Sequence, residues 1–149
     1  MLRRDRRVLA VDDNPVNLEI VAELLSDHYR VKFAQSGAEA IRIAERFQPG
    51  IILLDVMMPD MDGLQACRLL RTIPGIGDSA IIMVSAKAMP SEQAAGLRAG
   101  ADDYITKPFD DNELLAILRK YNRAGDGSGE YGASIEEPES SAVELGQVF

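Results

Sequence analysis

Four short apolar runs end in residues whose types could do chemistry together. VLAVDD closes on Asp12 and Asp13, IILLD on Asp55, AIIMVS on Ser85, and DDYITK on Lys107, with Pro108 next. Three carboxylates, a hydroxyl and an ammonium make a set suited to phosphate, provided the fold brings them to one place. Two carboxylates about 5 Å apart repel by roughly 3 kcal/mol at an effective dielectric near 20, so a positive partner is required. An all-oxygen donor set without cysteine or histidine suits Mg²⁺, with Mn²⁺ as a substitute, and gives no purchase to zinc. A carboxylate held against such a metal, with a hydroxyl and an ammonium beside it, can attack phosphorus and support the charge on the phosphoryl oxygens. On that reading Asp55 becomes an aspartyl phosphate.

Each residue alone has a plainer explanation. Asp13 or Asn14 could cap a helix begun by Pro15, and Asp62 one begun by Gly63. Ser85 alone is a turn residue, and Lys107 alone a solvated lysine before a turn proline. Asp55 resists this treatment, because a carboxylate adjoining IILL risks a desolvation cost that capping would not justify. The conjunction across four runs is what favours a site.

Five segments, RRVLAVDD, YRVKFA, GIILLD, AIIMVS and DDYITK, are short, rich in Val and Ile, and bounded by turn formers, as strands should be. Between them PVNLEIVAELLSDH, GAEAIRIAERF, GLQACRLLRTI, PSEQAAGLRAG and DDNELLAILRKY read as helices. In the first helix Val16, Ile20, Val21, Leu24 and Leu25 form the expected apolar face; in the last, Leu114, Leu115, Ile117, Leu118 and Tyr121 do. Alternating strands and helices predict a parallel sheet with right-handed crossovers, and the apolar character of GIILLD and AIIMVS predicts helices on both faces. The fold class is therefore three-layered α/β, in which ligands bind beyond the carboxyl ends of the strands. The chemically capable residues all fall at that rim. If the first and third strands are neighbours, about 4.8 Å apart, their terminal acids converge.

The chain of 149 residues, 46% hydrophobic, is long enough for one filled core. No apolar run approaches the roughly 18 residues of a membrane span, and MLRRDRRVLAVDD turns acidic where a signal peptide would stay apolar. A cytoplasmic protein without a membrane partner is expected. Cys67 reads as a packed thiol in a helix, and His28 as a surface residue ending one. The net charge of −8 argues against direct nucleic-acid binding. Residues 123–149 hold six acids against one base, a net of −5, which leaves −3 for residues 1–122. The tail carries most of the acidity.

The motifs VDD at 11–13, LLDVMMPDMDG at 53–63, VSA at 84–86 and ITKPF at 105–109 resemble the receiver domain of two-component response regulators, in order and across residues 7 to about 121. The resemblance implies a flavodoxin-like, doubly wound fold with five helices and a five-stranded parallel sheet in strand order 2-1-3-4-5; receiver proteins are a standard example of that order. It implies that Asp55 is the phosphoacceptor, and that a histidine kinase or histidine phosphotransfer protein is the donor. Asp13 and Asp55 would ligate Mg²⁺ directly, Asp12 mainly through a water, and the backbone carbonyl of Met57 would complete the protein's share. Lys107 would pair with a phosphoryl oxygen, and the bond from Lys107 to Pro108 is expected to be cis. Ser85 resembles the family's switch hydroxyl and Tyr104 its switch aromatic, which together would alter the face made by the fourth helix, fifth strand and fifth helix. Met57 and Lys87, two residues beyond Asp55 and Ser85, stand where the family leaves the side chain variable and where attacking water can be hindered or redirected.

The expected organisation is a basic extension at 1–6, a receiver at 7–122 and an acidic Gly/Ser/Glu-rich tail at 123–149 with no output domain. A downstream protein target is expected, and the chain would be a monomer or a homodimer. The function is a signalling switch rather than an enzyme. The alternatives are a phosphate-independent interaction module and the receiver fragment of a longer response regulator. A haloacid-dehalogenase-type phosphatase is disfavoured because VDDNP lacks its DxD spacing, and a flavin protein because the carboxylates would repel the flavin phosphate. The terminal VELGQVF concentrates Val143, Leu145, Val148 and Phe149, so the tail could dock on its own domain, a second copy or a partner.

Overall fold

The computed structural model describes residues 6–87 and 89–126. The acidic segment from residue 127 onward, with its apolar end at 143–149, and the basic residues Arg3 and Arg4 lie outside the described residues. The elements run β1 (Arg7–Val11), α1 (Pro15–Leu25), β2 (Arg30–Ala34), α2 (Gly37–Phe47), β3 (Ile51–Asp55), α3 (Gly63–Arg71), β4 (Ala80–Ser85), α4 (Pro90–Ala99), β5 (Asp103–Thr106) and α5 (Asp111–Asp126). All strand pairs are parallel, in the order β2-β1-β3-β4-β5, as the sequence implied.

Two cores lie on opposite faces of this sheet, and strand alternation decides which residue enters which. Val8, Ala10, Ile51, Leu53, Ile82, Val84 and Ile105 pack against Leu18, Val21 and Leu25 of α1 and Leu114 and Leu118 of α5. Leu9, Val11, Ile52, Leu54, Ile81 and Met83 pack against α2, α3 and α4 through Ala40, Ala44, Ala66, Cys67, Leu70 and Ala99. Every residue of β3 and β4 is buried, which is why their sequences are continuously apolar rather than alternating.

Local chemistry sets the helix starts. The Asn14 side chain accepts from the Val16 N–H and Pro15 opens α1; the Asp62 side chain accepts from the Gln65 N–H at the start of α3. At α2 the Ser36 side chain accepts from the Glu39 N–H while the Glu39 carboxylate accepts from the Gln35 N–H, and at α5 Asp110 and Glu113 cap each other reciprocally. These caps hold the ends of the helices at the strand-carboxyl rim.

The structure revises three expectations. α1 ends at Leu25, so His28 lies in the turn before β2 instead of closing the helix. The buried stripe of α1 is Leu18, Val21 and Leu25, whereas Val16 and Ile20 are 57% and 50% exposed. The segment VNLEIVAELL carries two apolar stripes at helical spacing, and the rotation of α1 buries only one. In addition, α5 continues past Tyr121 to Asp126.

Candidate functional site

β1 and β3 are adjacent and in register, so the residues that follow their apolar runs emerge side by side. Asp12 extends the alternation of Val8 and Ala10, and Asp55 that of Ile51 and Leu53, which sends both toward the same side of the sheet. Ligand oxygens of Asp12, Asp13 and Asp55 all lie within 4.8 Å of one another, a cluster that could hold a metal ion. Asp12 and Asp55 are buried, and Asp13 is exposed at the mouth. The donor set is all oxygen, as a hard divalent cation prefers, and the open exposure of Asp13 leaves room for water or phosphate beside it.

The two buried carboxylates are served very differently. Asp12 accepts from the Asn14 N–H at 2.9 Å, from Asn17 Nδ2 at 3.0 Å and from Lys107 Nζ at 3.2 Å. Asp55, only 4% exposed, accepts from the Met57 N–H at 3.4 Å and from Lys107 Nζ at 3.5 Å, both long and both on Oδ1. Its Oδ2 has no hydrogen-bond donor among the described residues. Burial above all, and then the neighbouring charge of Asp12, push the Asp55 carboxyl above its ordinary pKa, against the opposing pull of Lys107 and the Met57 N–H. Asp55 is thus the carboxylate with charge to spare and an oxygen to offer.

Lys107 follows the end of β5, and its N–H donates to the Ser85 carbonyl at 2.8 Å, tying the ends of β4 and β5 together. The Lys107–Pro108 peptide bond is cis. Ser85 is 1% exposed, and its Oγ accepts from the Lys87 N–H at 3.1 Å. The Lys87 carbonyl in turn accepts from Tyr104 Oη at 2.9 Å, so one residue joins the hydroxyls of Ser85 and Tyr104. Asp13, Met57, Ser85, Lys87, Glu92 and Tyr104 line one cleft of 610 Å³. On the other side, Asp12 and Lys107 border an apolar cleft of 420 Å³ toward α1, walled by Ile20 and Phe109.

The return from β3 to α3 needs a residue without a side chain. The Gly63 N–H donates to the Val56 carbonyl at 2.8 Å, and a Cβ on Gly63 would run into the Asp55 carbonyl. Gly63 therefore lets the start of α3 lie directly against the backbone of Asp55. Sequence reasoning did not single out Asn17 or Glu92. Asn17 stands five residues after Asp12 in DDNPVN, where one helical turn can carry its amide back to the carboxylate; for Glu92 the sequence offers no such signal.

Residues 8–119 match the sequence profile of the response regulator receiver domain. The chain belongs to this family. It is 46% identical over 114 residues to the response regulator MprA of Mycobacterium leprae, a match covering 76% of this chain and 49% of that protein. It is 39% identical over 115 residues to the signal transduction histidine-protein kinase BarA of Escherichia coli, covering 76% of this chain and 12% of BarA. The chain thus spans about half the length of one relative and a small part of the other. Among solved structures it resembles the receiver domain of the sensor histidine kinase PA1611 of Pseudomonas aeruginosa, which carries a magnesium ion in its active-site cleft; the TM-score is 0.72 at 37% identity, with 78% of this chain and 96% of that one covered. The receiver fold described above is the architecture of a two-component signalling switch. No described helix is long and apolar enough to cross a membrane.

Proposed function

We propose that this receiver is switched by phosphorylation of Asp55, with the phosphoryl group supplied by a histidine kinase or a histidine phosphotransfer protein. The observation that carries the reading is the contrast at β1 and β3: Asp12 is held by three donors, while Asp55 is buried with Oδ2 free. Asp55 attacks the phosphorus of a phosphohistidine; the new O–P bond forms as the N–P bond breaks, and its electron pair leaves with the imidazole. Lys107, already placed between Asp12 and Asp55, turns to a phosphoryl oxygen. Ser85 donates its hydroxyl to another. Asp13 and Asp55, the Met57 carbonyl and, through water, Asp12 would hold Mg²⁺, which when bound would neutralise charge on the phosphoryl oxygens.

The surroundings of the rim suit a visiting partner. Val16, Ile20, Met57 and Met89 are the exposed large apolar residues that flank the site, on α1 and on the loops after β3 and β4. An approaching phosphohistidine protein would cover them. Moving Ser85 toward phosphate costs its bond from the Lys87 N–H, loosening the residue that holds Tyr104, so the change passes to the surface of α4, β5 and α5. The switching unit spans residues 7–122, and a downstream protein reads that surface.

The test is incubation with Mg²⁺ and acetyl phosphate, followed by intact mass measurement beside Asp55→Asn. One added phosphoryl group is expected in the native protein and none in the variant. An equal gain in both places the phosphate elsewhere, and no gain by the folded native protein points to a phosphate-independent interaction module.

A further inference from the structure

The cleft that holds Ser85 also contains a charged pair whose side chains have no part in the scheme above. Lys87 Nζ lies 3.7 Å from Glu92 Oε2, with the two side chains 54% and 38% exposed. A long, half-exposed pair of this kind contributes little and exchanges partners readily. Glu92 is nonetheless not a simple surface acid. Its second oxygen, Oε1, is buried and has no hydrogen-bond donor among the described residues. The carboxylate therefore leans on Lys87 alone while facing a cleft shared with Asp13, Met57 and Ser85.

We propose that Glu92 is a built-in rival of the phosphoryl group for Lys87, holding it in the unphosphorylated protein and surrendering it when Asp55 is phosphorylated. This rests on the reading of Asp55 as acceptor. A phosphoryl group brings about two negative charges and three strong acceptor oxygens. Lys87, two residues beyond Ser85 on a flexible four-carbon stem, shares its cleft with Asp13 and Ser85, which on that reading border the phosphoryl group, and a dianion outbids a single carboxylate for it. Once Lys87 leaves, Glu92 has a buried oxygen with no donor and no cation beside it, an arrangement that favours its expulsion toward water. Glu92 sits in the first turn of α4, with its N–H donating to the Met89 carbonyl. Its expulsion would displace the start of α4 by a charged route that runs alongside the one through Tyr104.

The experiment is a double-substitution cycle read by binding of beryllofluoride, a noncovalent stand-in for the phosphoryl group, in the presence of Mg²⁺. Glu92→Gln keeps the shape and removes the competing charge, so the Kd is expected to fall about threefold. Lys87→Met is expected to raise it by about the same factor. In the Lys87→Met background, Glu92→Gln should have no further effect, because there is no cation left to compete for. Amide resonances of residues 90–95 should shift on binding in the native protein and shift less in Lys87→Met. Both side chains are partly exposed, so the variants should fold. If Glu92→Gln changes the Kd equally in both backgrounds, or Lys87→Met binds like the native protein, the competitor role is overturned while the acceptor reading stands. If the native protein binds no beryllofluoride, both fall together.

Discussion

The two rims of the same sheet are built on opposite terms. At the rim where the strands begin, Arg71, Arg7 and Ser79 are each tied to backbone carbonyls, although Arg30 Nε at the start of β2 has no hydrogen-bond partner among the described residues. Arg71 donates to the carbonyls of Gly100 at 2.9 Å and Ser79 at 2.7 Å, and to Asp102 Oδ2 at 2.7 Å, which also accepts from the Ile81 N–H. Arg7 binds the carbonyls of Phe47 and Gln48 at the end of α2, and Ser79 Oγ donates to the Pro49 carbonyl. At the rim where the strands end, three carboxylates crowd around one ammonium, and the most buried of them keeps a free oxygen. One rim closes the fold, and the other holds charge in readiness for a ligand. On the proposed reading, stability and function lie at opposite ends of the same strands.

That division is broken most directly at Arg71. Replacing it with Ala removes donors from several carbonyls at once and strips Asp102 of its cation, at a cost of about 2–3 kcal/mol. Thermal unfolding should show a Tm lower by about 10 °C. Phosphoryl uptake at Asp55 by the folded variant should be unchanged, since Arg71 is at the far rim; a loss of uptake out of proportion to unfolding would show that the rims are not independent.

The converse holds at Asp55, with a smaller effect. Its carboxyl is raised above the ordinary 3.8 by burial and by Asp12, so the folded protein holds a proton more tightly than the unfolded chain does. The penalty of ionising it is absent below pH 3.8 and fully present above the folded value. Asp55→Asn in metal-free buffer at pH 7 should therefore gain stability, raising Tm by about 4 °C, with the gain shrinking as pH falls toward 4. Added Mg²⁺ should stabilise the native protein and leave the variant little changed. A variant less stable than the native protein at pH 7 without metal would contradict the picture of an over-charged rim.

Much of this contrast was legible in the sequence, for definable reasons. Strand and helix alternation fixed the sheet, and a carboxylate at the end of IILLD stood out because apolar neighbours make its desolvation visible. The working rim was legible because its residues sit at one repeated position, the end of a strand. The tied rim was not: Arg71 at the end of α3 and Ser79 and Asp102 in later connections are far apart in the chain and joined largely through backbone carbonyls, which leave no mark on side-chain pattern. The rotation of α1 was hidden for another reason. Leu18, Val21 and Leu25 compete with Val16 and Ile20 at helical spacing, with Leu24 half-buried between them, and only packing against Val8, Ala10 and Val31 decides which side faces in. The orphan oxygen of Glu92 belongs to the same class, since a missing partner has no sequence signature.

The smallest expected effect tests whether the tied rim extends to β5. Asp103 is partly buried, which alone would raise its carboxyl, but the Tyr104 N–H, Lys120 and Tyr121 all donate to it and together hold it below 3.8. Burial, and then the same contact, push the Tyr121 hydroxyl well above its ordinary value. A depressed carboxylate stabilises the fold at every pH above the unfolded value, and that contribution is lost as pH falls from 3.8 through the folded value. Because Lys120 is 64% exposed, solvent screens much of its share, and Asp103→Asn should cost only about 0.5 kcal/mol at pH 7. Denaturant melts at pH 7 and pH 3 separate the cases: the difference between native protein and variant should shrink at the lower pH, the reverse of the slope expected from a strand-end carboxylate that is repelled. If the cost of Asp103→Asn grows on acidification, Asp103 belongs with the charged rim in its energetics even though it sits at the opposite edge.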